Sequence, residues 1–105
     1  MSEDVMYKIS KTKEYQEWLE EETLKSQAQI RKRLSNIEIE GHFGDHKPVG
    51  DEIWELRWEN GRRVYYSYLE KFNIIVLLGG NKNGQSKDIA QAKRIFKKNI
   101  EIKKR

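Results

Sequence analysis

The stretch that decides the fold covers residues 52–80, EIWELRWENGRRVYYSYLEKFNIIVLLGG. Over residues 52–58, one alternating set is Trp54, Leu56 and Trp58 and the other is Ile53, Glu55 and Arg57, a pattern typical of a half-buried strand. Asn60-Gly61 is a strong hairpin-turn signal, and residues 62–69 supply the return strand. Residues 73–78 are almost all apolar and indicate a central, most buried strand. The stretch therefore predicts a three-stranded antiparallel meander.

Helices are predicted before and after the meander. Val5 to Ile9 predicts a short first strand, and residues 12–21 predict a helix with apolar side chains at helical spacing. Thr23 is suited to cap a second helix. Three glycines and the only proline predict that Gly41 to Gly50 is a loop. A last helix is expected to begin near Ser86 or Asp88.

The order of these elements predicts one α+β domain spanning residues 1–105. An N-terminal strand and a two-helix hairpin come first, followed by the three-stranded antiparallel meander and a C-terminal helix. We expect the helices to pack on one face of the small sheet. The other face would then be partly open, and basic side chains such as Arg63 would be exposed on it.

Charge is unevenly distributed along the chain. The whole chain carries a formal net charge of +4, with about −2 in residues 1–40 and about +6 in residues 41–105. A basic half suggests an anionic partner, nucleic acid first, although a solvated basic surface is the alternative.

Cysteine usage and hydropathy point to a cytoplasmic protein that does not enter a membrane. The absence of cysteine excludes a disulfide and a thiol nucleophile, and it fits a reducing cytoplasm. The acidic start has no apolar segment of the kind found in signal peptides. The longest apolar run, Ile74 to Leu78, is too short to span a membrane.

Arg57, Arg63 and Lys82 are the first candidates for a functional site. Arginine offers a fork of donors to phosphate oxygens, and lysine offers a point charge. Three exposed charges on a sheet are the alternative interpretation.

Whether the two arginines share a face depends on the hairpin turn. A three-residue loop, Glu59-Asn60-Gly61, pairs Arg57 with Arg63 and places both on one face. A two-residue loop pairs Arg57 with Val64 and separates the arginines. The three-residue loop is favoured because it also matches apolar residues of the two strands on the core side.

Other side chains are candidates for proton transfer. Glu55, Tyr65 and Tyr66 lie beside the arginines in the predicted hairpin, although a structural Glu–Arg pair and strand tyrosines are the favoured interpretation for each of them taken singly. His42 and His46 have no neighbouring cysteine and make a poor metal site. His46 could act near neutral pH, but an exposed loop histidine is the favoured interpretation.

The segment Gly79 to Ser86 nearly matches a phosphate-binding P-loop. The position that requires lysine is occupied by Gln85, and the chain lacks the alternating strand–helix pattern of a parallel sheet. Nucleotide hydrolysis is therefore rejected in favour of a glycine-rich strand exit.

Residues 41–93 carry a resemblance to a known family. The matching residues are Gly44-Asp45-x-Lys47-Pro48-Val49-Gly50, Glu55-Leu56-Arg57, Arg63-Val64-Tyr65-Tyr66, Leu77-Leu78-x-Gly80-x-Lys82, Gln85, and Asp88-Ile89-x-x-Ala92-Lys93. In spacing and order the chain resembles the RelE/ParE superfamily of toxins of type II toxin–antitoxin systems, specifically the HigB-like branch of addiction-module killer proteins. It departs from that branch in a shorter turn before Arg63 and in lacking a cysteine near Gly79.

The resemblance implies a RelE-like microbial-RNase-type fold and a ribosome-dependent endoribonuclease, an mRNA interferase that inhibits translation. It further implies that the ribose 2′-hydroxyl attacks the adjacent phosphate with no metal or cofactor. Arg57 and Arg63 would stabilise the transition state, and Lys82 would be a second phosphate ligand. Lys47 or Glu55 would be the base, and Tyr65 or Tyr66 a weaker candidate for proton transfer.

The resemblance also implies partners and leaves alternatives open. The partners are a helix-turn-helix, HigA-like antitoxin, the ribosome and mRNA, with no membrane. One alternative is a ParE-like toxin that poisons DNA gyrase without nuclease activity. The other is an inactive domain that binds RNA or the ribosome. The basic triad favours the nuclease over the gyrase poison.

Overall fold

The computed structural model describes residues 6–103. Along these residues the elements are β1 (Lys8–Lys11), α1 (Lys13–Glu20), α2 (Leu24–Glu40), β2 (His46–Gly50), β3 (Ile53–Arg57), β4 (Arg62–Glu70), β5 (Asn73–Asn81), a 3₁₀ turn (Lys82–Gly84) and α3 (Gln85–Lys103). The predicted α+β class is confirmed, with the meander formed by β3, β4 and β5.

The strands form a single mixed sheet in the order β1-β5-β4-β3-β2. β1 runs parallel to β5, and every other neighbouring pair is antiparallel. The first strand begins at Lys8, later than expected, and Val5 lies outside the described residues. The meander occupies the middle of the sheet, so its side chains are positioned most rigidly.

Residues 46–50 were predicted to be part of a loop, and this prediction is wrong at its C-terminal half. They form β2, an edge strand paired with β3, with a register shift between Pro48 and Gly50. Proline is tolerated at a sheet edge because its missing N–H is not needed for pairing there. The consequence is that Lys47 lies on a strand, directly opposite Glu55.

The β3–β4 hairpin adopts the register of the three-residue loop. Arg57 pairs with Arg63 and Leu56 with Val64, which confirms the favoured alternative. Gly61 has a φ of 97°, a left-handed conformation that only glycine adopts at low cost. Its N–H donates to the Trp58 carbonyl at 3.1 Å. Arg57 and Arg63 therefore lie on the same face of the sheet.

Helices cover both faces of the sheet, which corrects the expectation of one open face. On the first face, α1 and α2 pack onto a core made of Tyr15, Leu19, Ile30, Leu34, Ile37, Phe43, Leu56, Val64, Tyr66, Ile74 and Val76. On the second face, α3 packs onto a core made of Ile53, Tyr65, Ile75, Leu77, Leu78, Ala92, Ile95 and Phe96. β4 and β5 present apolar side chains to both sides, so each face must be covered to exclude water.

Two adjacent glycines allow helices to approach β5 from opposite sides. A Cβ atom at Gly79 would overlap the ring of Trp18 in α1, and one at Gly80 would overlap the carboxylate of Asp88 in α3. The glycine-rich exit of β5 is thus explained by close packing, in agreement with the rejection of a P-loop.

Candidate functional site

The candidate site lies at one end of the sheet, where β3 ends and β4 and α3 begin. Its centre is Glu55, which is fully buried on the face covered by α3. One carboxylate oxygen of Glu55 lies 3.7 Å from Nε of Arg57, and the other lies 3.7 Å from Nε of Arg63. Gln85, at the start of α3, donates from Nε2 to Oε2 of Glu55 at 2.6 Å. A single carboxylate therefore organises two guanidinium groups and one amide.

Arg63 is buried, contrary to the expectation that its side chain would be exposed. Its side chain is 9% exposed, whereas that of Arg57 is 35% exposed. Nη1 of Arg63 donates to the carbonyls of Trp58 at 3.2 Å and Arg62 at 3.0 Å. The backbone of the hairpin turn thus holds the Arg63 guanidinium group in one orientation, while Arg57 remains accessible to solvent.

The cluster contains buried polar atoms without a hydrogen-bond partner. Among residues 6–103 these include Oε1 of Glu55, Nε of Arg57, Nε of Arg63 and the hydroxyl of Tyr65. Such groups are rare in folded proteins, because each one loses its hydration without compensation. Their convergence at one end of the sheet is typical of a site that a ligand completes.

Tyr65 lies on β4 directly opposite Glu55, and the pKa of its phenol is raised above the ordinary value. Burial raises the pKa of Tyr65, and the negative charges of Glu55 and Asp88 raise it further. The phenol is therefore neutral at physiological pH, when it can donate its proton in a hydrogen bond but cannot act as a base.

Lys47 and Lys82 lie at the rim of the cluster. Both side chains are exposed; Lys47 is on β2 opposite Glu55, and Lys82 begins the 3₁₀ turn. The Lys82 N–H donates to the Gly61 carbonyl at 2.8 Å, which fixes its backbone against the hairpin turn. With Arg57 and Arg63, these lysines bring the number of basic residues at this end of the sheet to four, and the two arginines are the ones in contact with the buried carboxylate.

Sequence reasoning gave no site role to Gln85 and Asp88. Gln85 contacts Glu55, and the Asp88 carboxylate lies against the backbone of Gly80. Burial raises the pKa of Asp88, while the charge of Lys87 opposes that shift. In the sequence, the pair of glycines at the end of β5 was the feature that could have indicated this contact with α3. A glycine in a strand often marks the close approach of another element.

Tyr66 is separated from the cluster, on the face covered by α1 and α2. Its hydroxyl lies 2.8 Å from Nδ1 of His46, whose ring stacks between Phe43 and Trp54. His46 is half-buried on β2, so it is not an exposed loop residue. Burial lowers the pKa of His46, and the charge of Arg33 lowers it further, while Asp45 opposes the shift.

Arg33 in α2 has a structural role that the sequence analysis did not predict. It donates to the carbonyls of Phe43 at 3.0 Å and Asp45 at 2.6 Å, and also to the carbonyl of Arg57. Its guanidinium carbon lies 4.3 Å from the centroid of the Trp58 ring. Arg33 thereby joins α2 to the backbone that carries Arg57.

Residues 6–103 contain neither a metal-binding cluster nor a membrane-spanning helix. No group of three or more histidine, aspartate or glutamate side chains there is placed to hold a metal ion. Over the same residues, no helix is both long and apolar enough to cross a membrane.

The sequence matches the model of one protein family over residues 17–101, described as Phage derived protein Gp49-like (DUF891). The chain belongs to the Gp49-like family. The matched segment contains Glu55, Arg57, Arg63, Tyr65 and Gln85, so the whole cluster lies within the family's domain. An uncharacterized protein of Haemophilus influenzae is 40% identical to this Gp49-like chain over 88 residues, which cover 81% of this chain and 88% of that protein.

Solved structures identify the fold as RelE-like. A variant of the E. coli toxin RelE in the free state superposes with a TM-score of 0.68 at 16% identity, covering 86% of this chain and 98% of that one. The toxin–antitoxin complex RelBE2 of Mycobacterium tuberculosis contains a chain with a TM-score of 0.62 at 14% identity, covering 77% and 97%. The expected RelE-like architecture is therefore confirmed.

Proposed function

We propose that this Gp49-like chain is the toxin of a type II toxin–antitoxin pair, from the HigB-like branch, and that it cleaves mRNA on the ribosome. The observation that carries the proposal is the cluster at the end of the sheet, in which Arg57 and Arg63 flank the buried carboxylate of Glu55. The RelE-like fold and the resemblance at these same residues support it.

The two arginines would bind the scissile phosphate. Nε of each arginine lacks a hydrogen-bond partner within residues 6–103, and a phosphate oxygen would supply one. Arg63 is already oriented by two backbone carbonyls, so little reorganisation is needed when charge develops in the transition state. Lys82 and Lys47 would hold neighbouring phosphates at the rim.

Glu55 and Tyr65 would move the protons. Oε1 of Glu55 has no hydrogen-bond donor among the described residues and could accept the proton of the attacking 2′-hydroxyl. The neutral phenol of Tyr65 could give a proton to the leaving 5′ oxygen. Lys47, directly opposite Glu55, remains the alternative base. No metal or cofactor takes part in this scheme.

The proposed partners follow from the same function. The ribosome and mRNA would be the substrate complex, and a helix-turn-helix, HigA-like antitoxin would neutralise the toxin. The RelBE2 structure is a toxin–antitoxin complex, and one of its chains has the same fold as this protein. The proposal of an antitoxin partner is supported by that similarity of fold alone.

Induced expression in bacteria, with primer extension on a translated reporter mRNA, tests the proposal. Arg57→Ala is the first variant because this side chain is partly exposed and its loss should leave the fold intact. Arg94→Ala is the matched control, since Arg94 is exposed on α3 and the change in net charge is the same. We expect in-frame cuts that require translation, disappear in Arg57→Ala and persist in Arg94→Ala.

Other results would contradict the proposal in distinguishable ways. Growth arrest without mRNA cleavage would point to a gyrase poison or to ribosome binding without catalysis. Cleavage that is unchanged in Arg57→Ala would place the nuclease site elsewhere. Thermal melts of both variants must match the parent chain for either conclusion to be drawn.

A further inference from the structure

A cavity of about 200 Å³ lies on the opposite side of the same sheet end, between α1 and the tip of the β3–β4 hairpin. It is lined by Trp18, Glu22, Asn60, Arg62, Gly80 and Asn81. None of these residues has a part in the proposed phosphate chemistry. The cavity therefore needs an explanation of its own.

The cavity is connected to the cluster through neighbouring residues. Arg62 and Arg63 are adjacent on β4, so their side chains lie on opposite faces of the sheet. Gly80, which lines the cavity, is the register partner of Arg63. A polynucleotide that crosses this end of the sheet could place a phosphate at Arg63 and the base of a neighbouring nucleotide in the cavity.

The polar groups of the cavity are held in defined orientations. Oδ1 of Asn60 accepts the N–H of Arg62 at 2.9 Å, and Oδ1 of Asn81 accepts the N–H of Asn83 at 2.8 Å. The NH₂ group of each amide is therefore the part available to a ligand. Oε1 of Glu22 accepts the hydroxyl of Ser26 at 2.7 Å, which fixes the carboxylate. Each carboxylate oxygen can accept two hydrogen bonds, so Oε2 and the second lone pair of Oε1 are left for two adjacent donors of a ligand.

We infer that this cavity is a subsite for one guanine base of the RNA, an inference that rests on the proposed function. Guanine presents two adjacent donors, N1–H and the exocyclic amine, which suit the carboxylate of Glu22. It also presents two acceptors, O6 and N7, which suit amide or guanidinium donors. Trp18 supplies an aromatic wall of the kind on which bases stack.

The other bases match these groups less well. Adenine and cytosine each offer a single exocyclic amine to the carboxylate and place ring acceptors beside it. Uracil offers one N–H between two carbonyl oxygens, which would face the negative charge of Glu22. The carboxylate is therefore the group that discriminates between guanine and the other bases.

Direct binding tests the subsite without requiring cleavage. The probes are 2′-O-methyl RNA trinucleotides, which lack the attacking hydroxyl, with guanine or adenine as the central base between two uridines. Calorimetric titration should give tighter binding of the guanine probe, by about tenfold for one well-placed bidentate contact. Glu22→Gln should remove this preference, whereas Glu21→Gln, an equal charge change at an exposed neighbour, should retain it.

Cleavage mapping separates failure of the subsite from failure of the proposed function. If the parent chain cuts the reporter near guanines and the cuts made by Glu22→Gln lose that preference, the subsite is supported. Cuts with no base preference would overturn the subsite and leave the nuclease proposal standing. Equal binding of both probes, or binding of neither, also overturns the subsite, whether or not the chain is a nuclease.

Discussion

Substitution of Glu55 by glutamine should destabilise the fold by about 3 kcal/mol. The change keeps the size of the side chain but removes the negative charge between Arg57 and Arg63. Breaking a buried ion pair on one side typically costs about 3–5 kcal/mol, because the remaining charge stays buried without compensation. Of the two arginines, only Arg63 is deeply buried. Arg57 keeps access to water, so its unpaired charge adds less to the free-energy cost. The lower end of the range therefore applies.

Equilibrium unfolding in urea at neutral pH, followed by tryptophan fluorescence, measures this loss. A 3 kcal/mol change corresponds to a decrease in melting temperature of about 12–24 °C for a domain of this size. Glu59→Gln is the matched control: Glu59 is exposed in the same hairpin, and its change should stay within about 0.5 kcal/mol.

A double-mutant cycle identifies the cause of the loss. Combining Glu55→Gln with Arg63→Met removes both partners of the buried pair, so the double variant should lose less stability than the sum of the two single variants. A coupling energy of at least about 1 kcal/mol is expected. The free energy of unfolding of Glu55→Gln could instead lie within about 1 kcal/mol of that of the parent chain, or the losses of the two single variants could simply add. Either result would show that the buried ion cluster does not stabilise the fold as argued.

Three further predictions concern other parts of the fold. Gly79→Ala should cost about 1–3 kcal/mol in urea unfolding, because the added methyl group overlaps the body of the Trp18 ring. Thr12→Ala should cost about 1–2 kcal/mol in the same assay, since the Thr12 hydroxyl caps α1 and donates to the Leu77 carbonyl at 2.7 Å. Burial lowers the pKa of His46 below 6.5. The unfolded chain therefore binds the proton first, so stability should fall as the pH decreases through about 6.5, and His46→Gln should weaken that fall.

Each of these predictions has a comparison that could contradict it. Gly80→Ala should cost less than Gly79→Ala, because its methyl group meets only the end of the Asp88 side chain, which can rotate away. Thr12→Ser should keep most of the stability lost in Thr12→Ala. For His46, equal slopes of stability against pH in the parent and variant chains between about pH 7.5 and pH 5 would show that its protonation is not linked to unfolding.

The hairpin shows how far local patterns determine structure. The match of apolar residues across the two strands favoured a three-residue turn over a two-residue turn, and the structure has the resulting pairing of Arg57 with Arg63. This succeeded because a strand's period of two residues and the length of a turn are properties of adjacent residues. The loop predicted for residues 46–50 was wrong for the complementary reason. Glycine and proline indicate loops locally, but pairing with β3 outweighs that preference at a sheet edge.

The sequence by itself determined the central meander and the helices before and after it, and it favoured the hairpin register that places Arg57, Glu55 and Arg63 on one face. Only the tertiary structure decided that α3 covers this face, that Arg63 is buried, and that Gln85, 30 residues away, donates to Glu55. Periodicity reports which side chains of one element lie together, because it depends on backbone geometry alone. It carries no information on which distant helix covers them, since that choice is made by packing two apolar faces of the sheet at once.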